Sequence, residues 1–357
     1  MKSGFSSQAR AHDLPLRYSS IDLLLGDARG RFFGNGYRSI RRNVVRVRLD
    51  AARREVLADA SIEYPAAWSM KRERELTPHL SSLDALGVAA QLAEAYLRSV
   101  YRLDDAGADK LRLARSALKP GPAPTTDLGN VGASCSLVDT TEQANGGVSR
   151  FVAKVGSIGV ELSVEHPPLG EAFGVNASFE RLSDVLGPPE LSYYGCAYIR
   201  TELGVRDVLF DDSGERVSAS IDMLPPANAA ALRGLGSAHA PFFSEMTAIV
   251  TIAQLAQALL YRYDNVSRGQ SNNLWMRKIL ILSERSVPAA LGMRVETWSK
   301  KMTLLPVKEG LWRTATFEYT APGLAGEYTV AHLLPEHRRD SQDPTSDAVD
   351  RAGAEDA

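Results

Sequence analysis

The sequence predicts an α+β protein in which one unit is used twice. Two long apolar helices, strand-like runs around each of them, and short blocks that recur in the same order predict it. The first helix signal covers about residues 80–101, where Leu83, Leu86, Ala90, Ala93 and Leu97 return at three- and four-residue steps. The second covers about 244–261. Within them AAQLAEAYL (89–97) and IAQLAQALL (252–260) agree at six of nine positions with a shift of 163, too many to dismiss once the flanking blocks agree as well.

Those blocks follow in order. LLLGDARGRFFGNGY (23–37) faces DVLGPPELSYYGCAY (184–198), so that Leu-Gly, the paired aromatics, the next Gly and the final Tyr coincide. ASIE (60–63) faces ASID (219–222), and SVEH ending at His166 faces TVAH ending at His332. Each half opens on a Gly-aromatic loop, continues as a hairpin-like pair (RNVVRVRLD and EVLADASIEYP; GVRDVLFD and ERVSASIDML), places one helix, and ends in several strands. One helix set in an antiparallel sheet of about five strands is the hotdog pattern. A single copy leaves an open sheet edge, and two copies joined edge to edge close it. The expected architecture is therefore a double hotdog: a flexible extension at 1–18, a first repeat at 19–175, a second at 176–337, and a disordered acidic tail at 338–357. That tail carries three positive and six negative charges with almost no core formers. The turn-rich stretches 120–130 and 140–147 read as insertions, and 166–182 joins the halves.

Composition narrows the function. The 357 residues are 44% apolar and 24% charged, with net charge −2 and pI near 6.3, so no field draws the chain to nucleic acid or anionic lipid. Cys135 and Cys196 are too few for a disulfide framework and lack zinc-ligand company. No apolar stretch reaches the roughly 18 residues of a membrane span, and the N-terminus shows no signal core. A reduced, cytoplasmic protein is expected, monomer or homodimer, without metal or other cofactor. Gly34-x-Gly36 lacks the third glycine and the parallel-strand setting of a dinucleotide loop, and reads as a tight turn after Phe32 and Phe33.

The richest chemical segment is PHLSSLD (78–84), at the head of the first helix. Ser81 with Asp84 makes a capping-box-like start, and His79 stands just outside the first turn. It reads either as a good helix start beside an exposed His, or as a reactive site in which N–H groups near Ser82 stabilise an oxyanion while the imidazole moves protons. In the second half Phe242 falls opposite His79, Thr247 opposite Asp84, and Ser244 opposite Ser81. One working site is expected, with Glu245 either a contributor to it or a plain dipole-complementing residue. His166 and His332 end equivalent strands, structural or catalytic. Gln91 and Gln254 recur on both helices, for internal hydrogen bonds or for a substrate hydroxyl.

SSIDLLLGDARGRFFGNGY (19–37) and RELTPHLSSLDALGVAAQLAEAYL (74–97) resemble the avirulence D protein (AvrD) family, and the resemblance extends over about 19–337. It implies a small-molecule biosynthetic enzyme that joins a β-ketoacyl thioester, delivered by acyl carrier protein or coenzyme A, to a small xylulose-like ketose, followed by cyclisation to a syringolide or butenolide signal. The A-factor synthase family, also a double hotdog, is more distantly similar. On that footing the acyl chain is expected in a tunnel between the helices lined by Leu86, Ala90, Ile249 and Ala253. N–H groups near Ser82 and Leu83 polarise its carbonyl. His79 or His166 takes the hydroxyl proton, Asp84 orients that imidazole, and Ser81, Gln91, Gln254 or Glu245 hold substrate. Arg72, Arg74 and Arg268 are placed to meet a phosphate. Two alternatives stand beside this: a thioester dehydratase using His166 opposite Glu245, and a non-catalytic ligand-binding protein.

Overall fold

Alternation of apolar and polar residues builds the strands, and two nearly all-apolar segments build the long helices. The computed structural model describes residues 16–335 apart from 66–67, 72–73, 175, 272 and 308–309. The expected acidic tail and residues 1–15 lie outside the described residues.

The first run of elements is β1 (Arg17–Ser20), α1 (Asp22–Leu25), β2 (Arg41–Asp50), β3 (Glu55–Glu63), the two-residue strands β4 (Met70–Lys71) and β5 (Arg74–Glu75), α2 (Ser82–Val100), α3 (Asp105–Ala108), β6 (Arg112–Pro120), β7 (Val131–Gln143), β8 (Gly146–Val155) and β9 (Ile158–His166). The second is β10 (Asn176–Arg181), α4 (Ser183–Leu186), β11 (Glu202–Phe210), β12 (Arg216–Leu224), α5 (Glu245–Tyr263), β13 (Trp275–Ser283), β14 (Met293–Val307), β15 (Gly310–Ala321) and β16 (Leu324–Leu333). Fourteen strands form one antiparallel sheet in the order β1-β11-β12-β14-β15-β16-β13-β6-β9-β8-β7-β3-β2-β10. Read from either end the order is the same, with the centre between β13 and β6, where Ile279 faces Leu118 and Leu282 faces Arg115. Two seven-stranded halves thus share a seam, which pairs the strand edge that each would otherwise leave open.

The irregularities repeat too. Arg46 in β2 and Asp207 in β11 both adopt left-handed backbone where the ladder slips, and Arg102 and Asn265 do so just past the two helices. One feature departs from the expected division of the chain. β1 pairs with β11 of the other half, and β10 pairs with β2, so the first strand of each repeat is exchanged. Because Arg17 and Tyr18 already belong to β1, with Tyr18 edge-on to Phe210 at 6.2 Å, the sheet begins inside the segment expected to be a flexible extension.

α2 and α5 each run 19 residues. The periodic Leu and Ala stripe understates their burial: Ala85, Gly87, Ala89 and Ala95 are as enclosed as Leu86, because sheet and loops cover nearly the whole of α2. Among the described residues no helix is long and apolar enough to cross a membrane.

One buried charge on α2 has a pH consequence. Glu94 accepts from the Leu235 N–H and lies 3.5 Å from Arg98, under a loop so close that a side chain on Gly234 would strike its carboxyl. Burial pushes the Glu94 carboxyl up to about 7, from 4.5. A raised acid binds its proton more readily in the folded state, so its stabilising contribution is complete below about 4.5 and is lost as pH rises through 7. The repeat places Gln257 at this position of α5. We expect Glu94→Gln to remove roughly 3 kcal/mol of this pH dependence between pH 4.5 and 8. Urea unfolding at both pH values measures it, and an unchanged difference would refute the assignment.

Candidate functional site

The head of α2 is held by a buried polar cluster. Ser81 is the N-cap: its hydroxyl accepts from the Asp84 N–H at 3.2 Å and donates to Asp84 Oδ2 at 2.6 Å. Tyr64 donates to the same carboxylate at 2.5 Å and accepts from the Ser81 N–H at 3.2 Å. The expected capping box is therefore half made, because a tyrosine from the chain leaving β3 replaces the acidic side chain as acceptor for the cap's own N–H. Burial, and next the Asp84 charge, push the Tyr64 hydroxyl well above its ordinary range, so it remains a donor. Arg42 lies 3.5 Å from Asp84 and donates to the carbonyls of Tyr194 and Gly195, at 2.5 and 2.6 Å. It can do so only because Gly87 has no side chain; a Cβ there would sit 2.6 Å from the Arg42 guanidinium.

Above this cluster opens a cavity of about 550 Å³. His79, Ser81 and Ser82 form one wall, and Gln254, Gln257 and Arg268 come from the second half. The rest is largely apolar, with Phe32, Trp68, Leu80, Ile158, Trp275 and Leu305 among the lining residues. Trp68 is fixed by its indole N–H donating to the Leu76 carbonyl at 2.6 Å, and the His79 ring lies between it and Trp275, at 5.4 and 5.0 Å. His79 Nδ1 donates to the Thr77 carbonyl at 3.2 Å, so in the neutral ring Nε2 carries the lone pair. Burial lowers the His79 pKa below its ordinary value. The insertion at 120–130 is part of the wall: Pro120 to Pro124 line the cavity, and the Thr125 carbonyl accepts from Leu80 N–H at 2.9 Å.

The expected site residues thus separate. His79, Ser81, Ser82 and Gln254 meet at one cavity. Asp84 lies beneath it, fully buried, and no hydrogen bond joins it to His79; Ser81 and Tyr64 both donate to its Oδ2 while Oδ1 faces the Arg42 guanidinium at 3.5 Å, so it positions the helix head rather than the imidazole. His166 is not at the cavity. Its Nδ1 donates to the Pro167 carbonyl at 2.9 Å and its Nε2 meets the Ser149 hydroxyl at 3.1 Å, so both nitrogens are occupied where β9 ends. Gln91 is buried on α2 away from the cavity lining. Glu245 accepts from Tyr194 at 2.6 Å, also off the cavity, and burial raises its pKa. No hydrogen bond joins it to His166. The expected tunnel between the helices is replaced as well: Leu86, Ala90 and Ile249 are core, and the cavity runs instead from the α2 head past the flank of α5 to β13–β16. Arg72 lies outside the described residues, and of Arg74 only the backbone is described.

Arg31 was missed by the sequence reading. Only 4% exposed, it lines the cavity, donates to Gln254 Oε1 at 2.7 Å and pairs with Asp22. The signal was present in the repeat, where Ser192 takes its place. Gly34 and Gly36 hold this loop by close approach, since a Cβ on either would meet a backbone oxygen, of Ala28 at 2.3 Å or of Trp68 at 2.4 Å. At the equivalent place in the second half there is no open wall. Phe242 replaces His79 and packs 5.1 Å from the Tyr193 ring, while Tyr193 bonds the cap Ser244 at 2.5 Å and Tyr194 reaches Glu245. All three aromatic side chains are buried.

Two helix-filled antiparallel units on one continuous sheet, with a polar-headed apolar cavity at the head of the first long helix, define a double hotdog. The chain belongs to the family described as Pseudomonas avirulence D protein (AvrD), whose model matches residues 16–335. Comparison with curated proteins gave no match. Among solved structures the chain is similar to the tesB protein of Mycobacterium avium subspecies paratuberculosis, at 9% identity and TM-score 0.39 over 81% of this chain and 96% of that one. It is also similar to the 12:0-ACP thioesterase of Umbellularia californica, at 9% identity and TM-score 0.38 over 82% and 93%. A hot dog fold protein of unknown function from Alicyclobacillus acidocaldarius matches at 8% identity and TM-score 0.34, over 85% and 97%.

The helix-head cluster yields a stability test. Asp84→Asn leaves Arg42 buried without its counter-ion and is expected to cost about 3 kcal/mol. Gly87→Ala should destabilise the wild type by displacing Arg42, yet stabilise an Arg42→Leu background by up to about 1 kcal/mol through helix propensity. Denaturant unfolding of the four proteins of that cycle measures it, and additive effects would show that Gly87 is not there for Arg42.

Proposed function

We propose that the protein condenses a β-ketoacyl thioester with a hydroxyl of a small ketose and then promotes ring closure, giving a syringolide- or butenolide-type product. The carrying observation is the pairing, in one cavity, of a desolvated His79 whose Nε2 lone pair is available with the N-terminus of a 19-residue helix at Ser81 and Ser82. Membership of the AvrD family supports the substrate classes.

In this reading the acyl chain lies on the apolar wall and the thioester carbonyl points at the α2 N-terminus, where first-turn N–H groups have no intrahelical acceptor. The ketose hydroxyl attacks the carbonyl carbon as His79 Nε2 takes its proton, and the tetrahedral oxyanion rests against the Ser82 N–H. Collapse breaks the C–S bond, the departing thiolate takes the proton back from the imidazolium, and an ester remains. The α-carbon between the two carbonyls is acidic. His79 removes its proton, the carbanion adds to the ketose carbonyl, and the alkoxide takes the proton back from the imidazolium; loss of that hydroxyl with the remaining α-proton as water gives the butenolide. Gln254, already anchored by Arg31, and Gln257 hold sugar hydroxyls, and Asp84 acts only through the helix head it fixes.

Incubation with a β-ketoacyl thioester, on acyl carrier protein or coenzyme A, and a panel of ketoses should release free thiol and a product of the summed mass less the thiol, and less one water once the ring has closed to a butenolide. His79→Ala is expected to lower kcat by about a hundredfold or more while the Tm stays within a few degrees. Because desolvation lowers the imidazole pKa, the acid limb of kcat/KM should fall below the ordinary value of 6.5. A fully active His79→Ala enzyme refutes the assignment.

A further inference from the structure

The described lining of the cavity contains three arginines, Arg31, Arg268 and the exposed Arg277, and no acidic residue. Two of them are neighbours. Arg268 Nη2 donates to the carbonyl of Gly30, the residue before Arg31, at 3.2 Å, and lies 3.4 Å from the Ser69 hydroxyl. Arg31 is buried against Gln254, and its counter-ion Asp22 stands on α1, outside the cavity lining. Arg31 is buried and Arg268 half-buried, which is costly for two neighbouring cations, and burial depresses the pKa of both, with the Arg268 charge adding to the effect on Arg31. The second half avoids this cost: Ser192 replaces Arg31 and the equivalent space is filled by Tyr193 and Phe242. Of the two equivalent places, the one with the cavity is the one that holds Arg31.

We propose that Arg268 and Arg31 form an anion subsite that seats a phosphate group of the substrate. A phosphate ester offers the charge and the oxygens that a guanidinium fork binds in pairs, and in this setting it would offset the repulsion between the two arginines. The subsite adjoins the reacting end, since Ser69 touches Arg268 while its chain neighbour Trp68 touches the His79 ring. The phosphate belongs either to a phosphorylated ketose or to the pantetheine 4′-phosphate arm that carries the acyl chain. The choice between these owners rests on the acyl transfer proposed above; the subsite itself does not.

The full-length protein is titrated with inorganic phosphate by calorimetry at constant ionic strength. Saturable binding that Arg268→Gln weakens about tenfold or more, and Arg268→Lys weakens less, is the expected result. Absent binding, or binding that Arg268→Gln leaves unchanged in a variant with wild-type circular dichroism, overturns the subsite. If Arg268→Gln does not fold, Arg268→Lys alone decides, since loss of the fork must still weaken phosphate binding. In turnover, a tenfold rise in KM confined to a phosphorylated ketose, with the unphosphorylated ketose unchanged, assigns the phosphate to the acceptor. A rise confined to the pantetheine thioester assigns it to the donor, and no rise for either overturns the proposal. Arg268-dependent phosphate binding without thiol release for any acceptor would keep the subsite and refute the condensation.

Discussion

The buried contact of Arg42 with Asp84 is the constraint on which the site depends. It ties three pieces of chain that are remote in sequence: the α2 head through Asp84, β2 of the first unit through Arg42, and the Tyr194–Gly195 backbone of the second unit's opening loop. A charge pair this deeply buried is weak evidence of net stability, since desolvation offsets most of the attraction. It is strong on register. With Asp84 held from both sides, Ser81 must cap α2 and the chain before it must pass His79 along the cavity wall. Gly87, an unfavourable residue in mid-helix, is the accommodation that lets the guanidinium lie against the helix.

The exchange of first strands explains why the two units do not act alone. β1 and α1 of the first unit bring Asp22 and Arg31 against α5, so the open cavity is built from both units: a helix head and His79 from one, glutamines and an arginine from the other. The mirror position received the opposite treatment. Aromatic rings fill it, and their hydroxyls satisfy Ser244 and Glu245, which leaves few polar groups for a ligand to meet. Duplication supplied two equivalent places, and one of them became core. That is the less demanding state for a helix end, because packed aromatics bury large apolar area without leaving charges to be neutralised by a ligand.

Much of the fold was legible in the sequence because it rests on local periodicity and on repetition. Alternation marked the strands, the Ala- and Leu-rich stripes marked α2 and α5, and the collinear blocks announced two copies. Ser81 as N-cap and Gly34 as a tight-turn glycine were readable for the same reason: their partners lie within a few residues, as Asp84 and Ala28 do. His79, Ser82 and Gln254 could be named from position on the helices, and they line one cavity. His166, Gln91 and Glu245 could be named equally well, yet all three are buried off the cavity, with His166 bonded to Ser149 and Glu245 to Tyr194.

What the sequence determined by itself, then, was the identity and order of the elements and their duplication, which short-range patterns encode. Only the tertiary structure decided which face of each element met a cavity. Long-range pairings decide that: β1 on β11, Tyr64 and Arg42 on Asp84, Arg31 on Gln254. A carboxylate three residues from a cap and five from a histidine can serve either neighbour. Here a tyrosine and an arginine from outside the helix turned it inward, away from the imidazole.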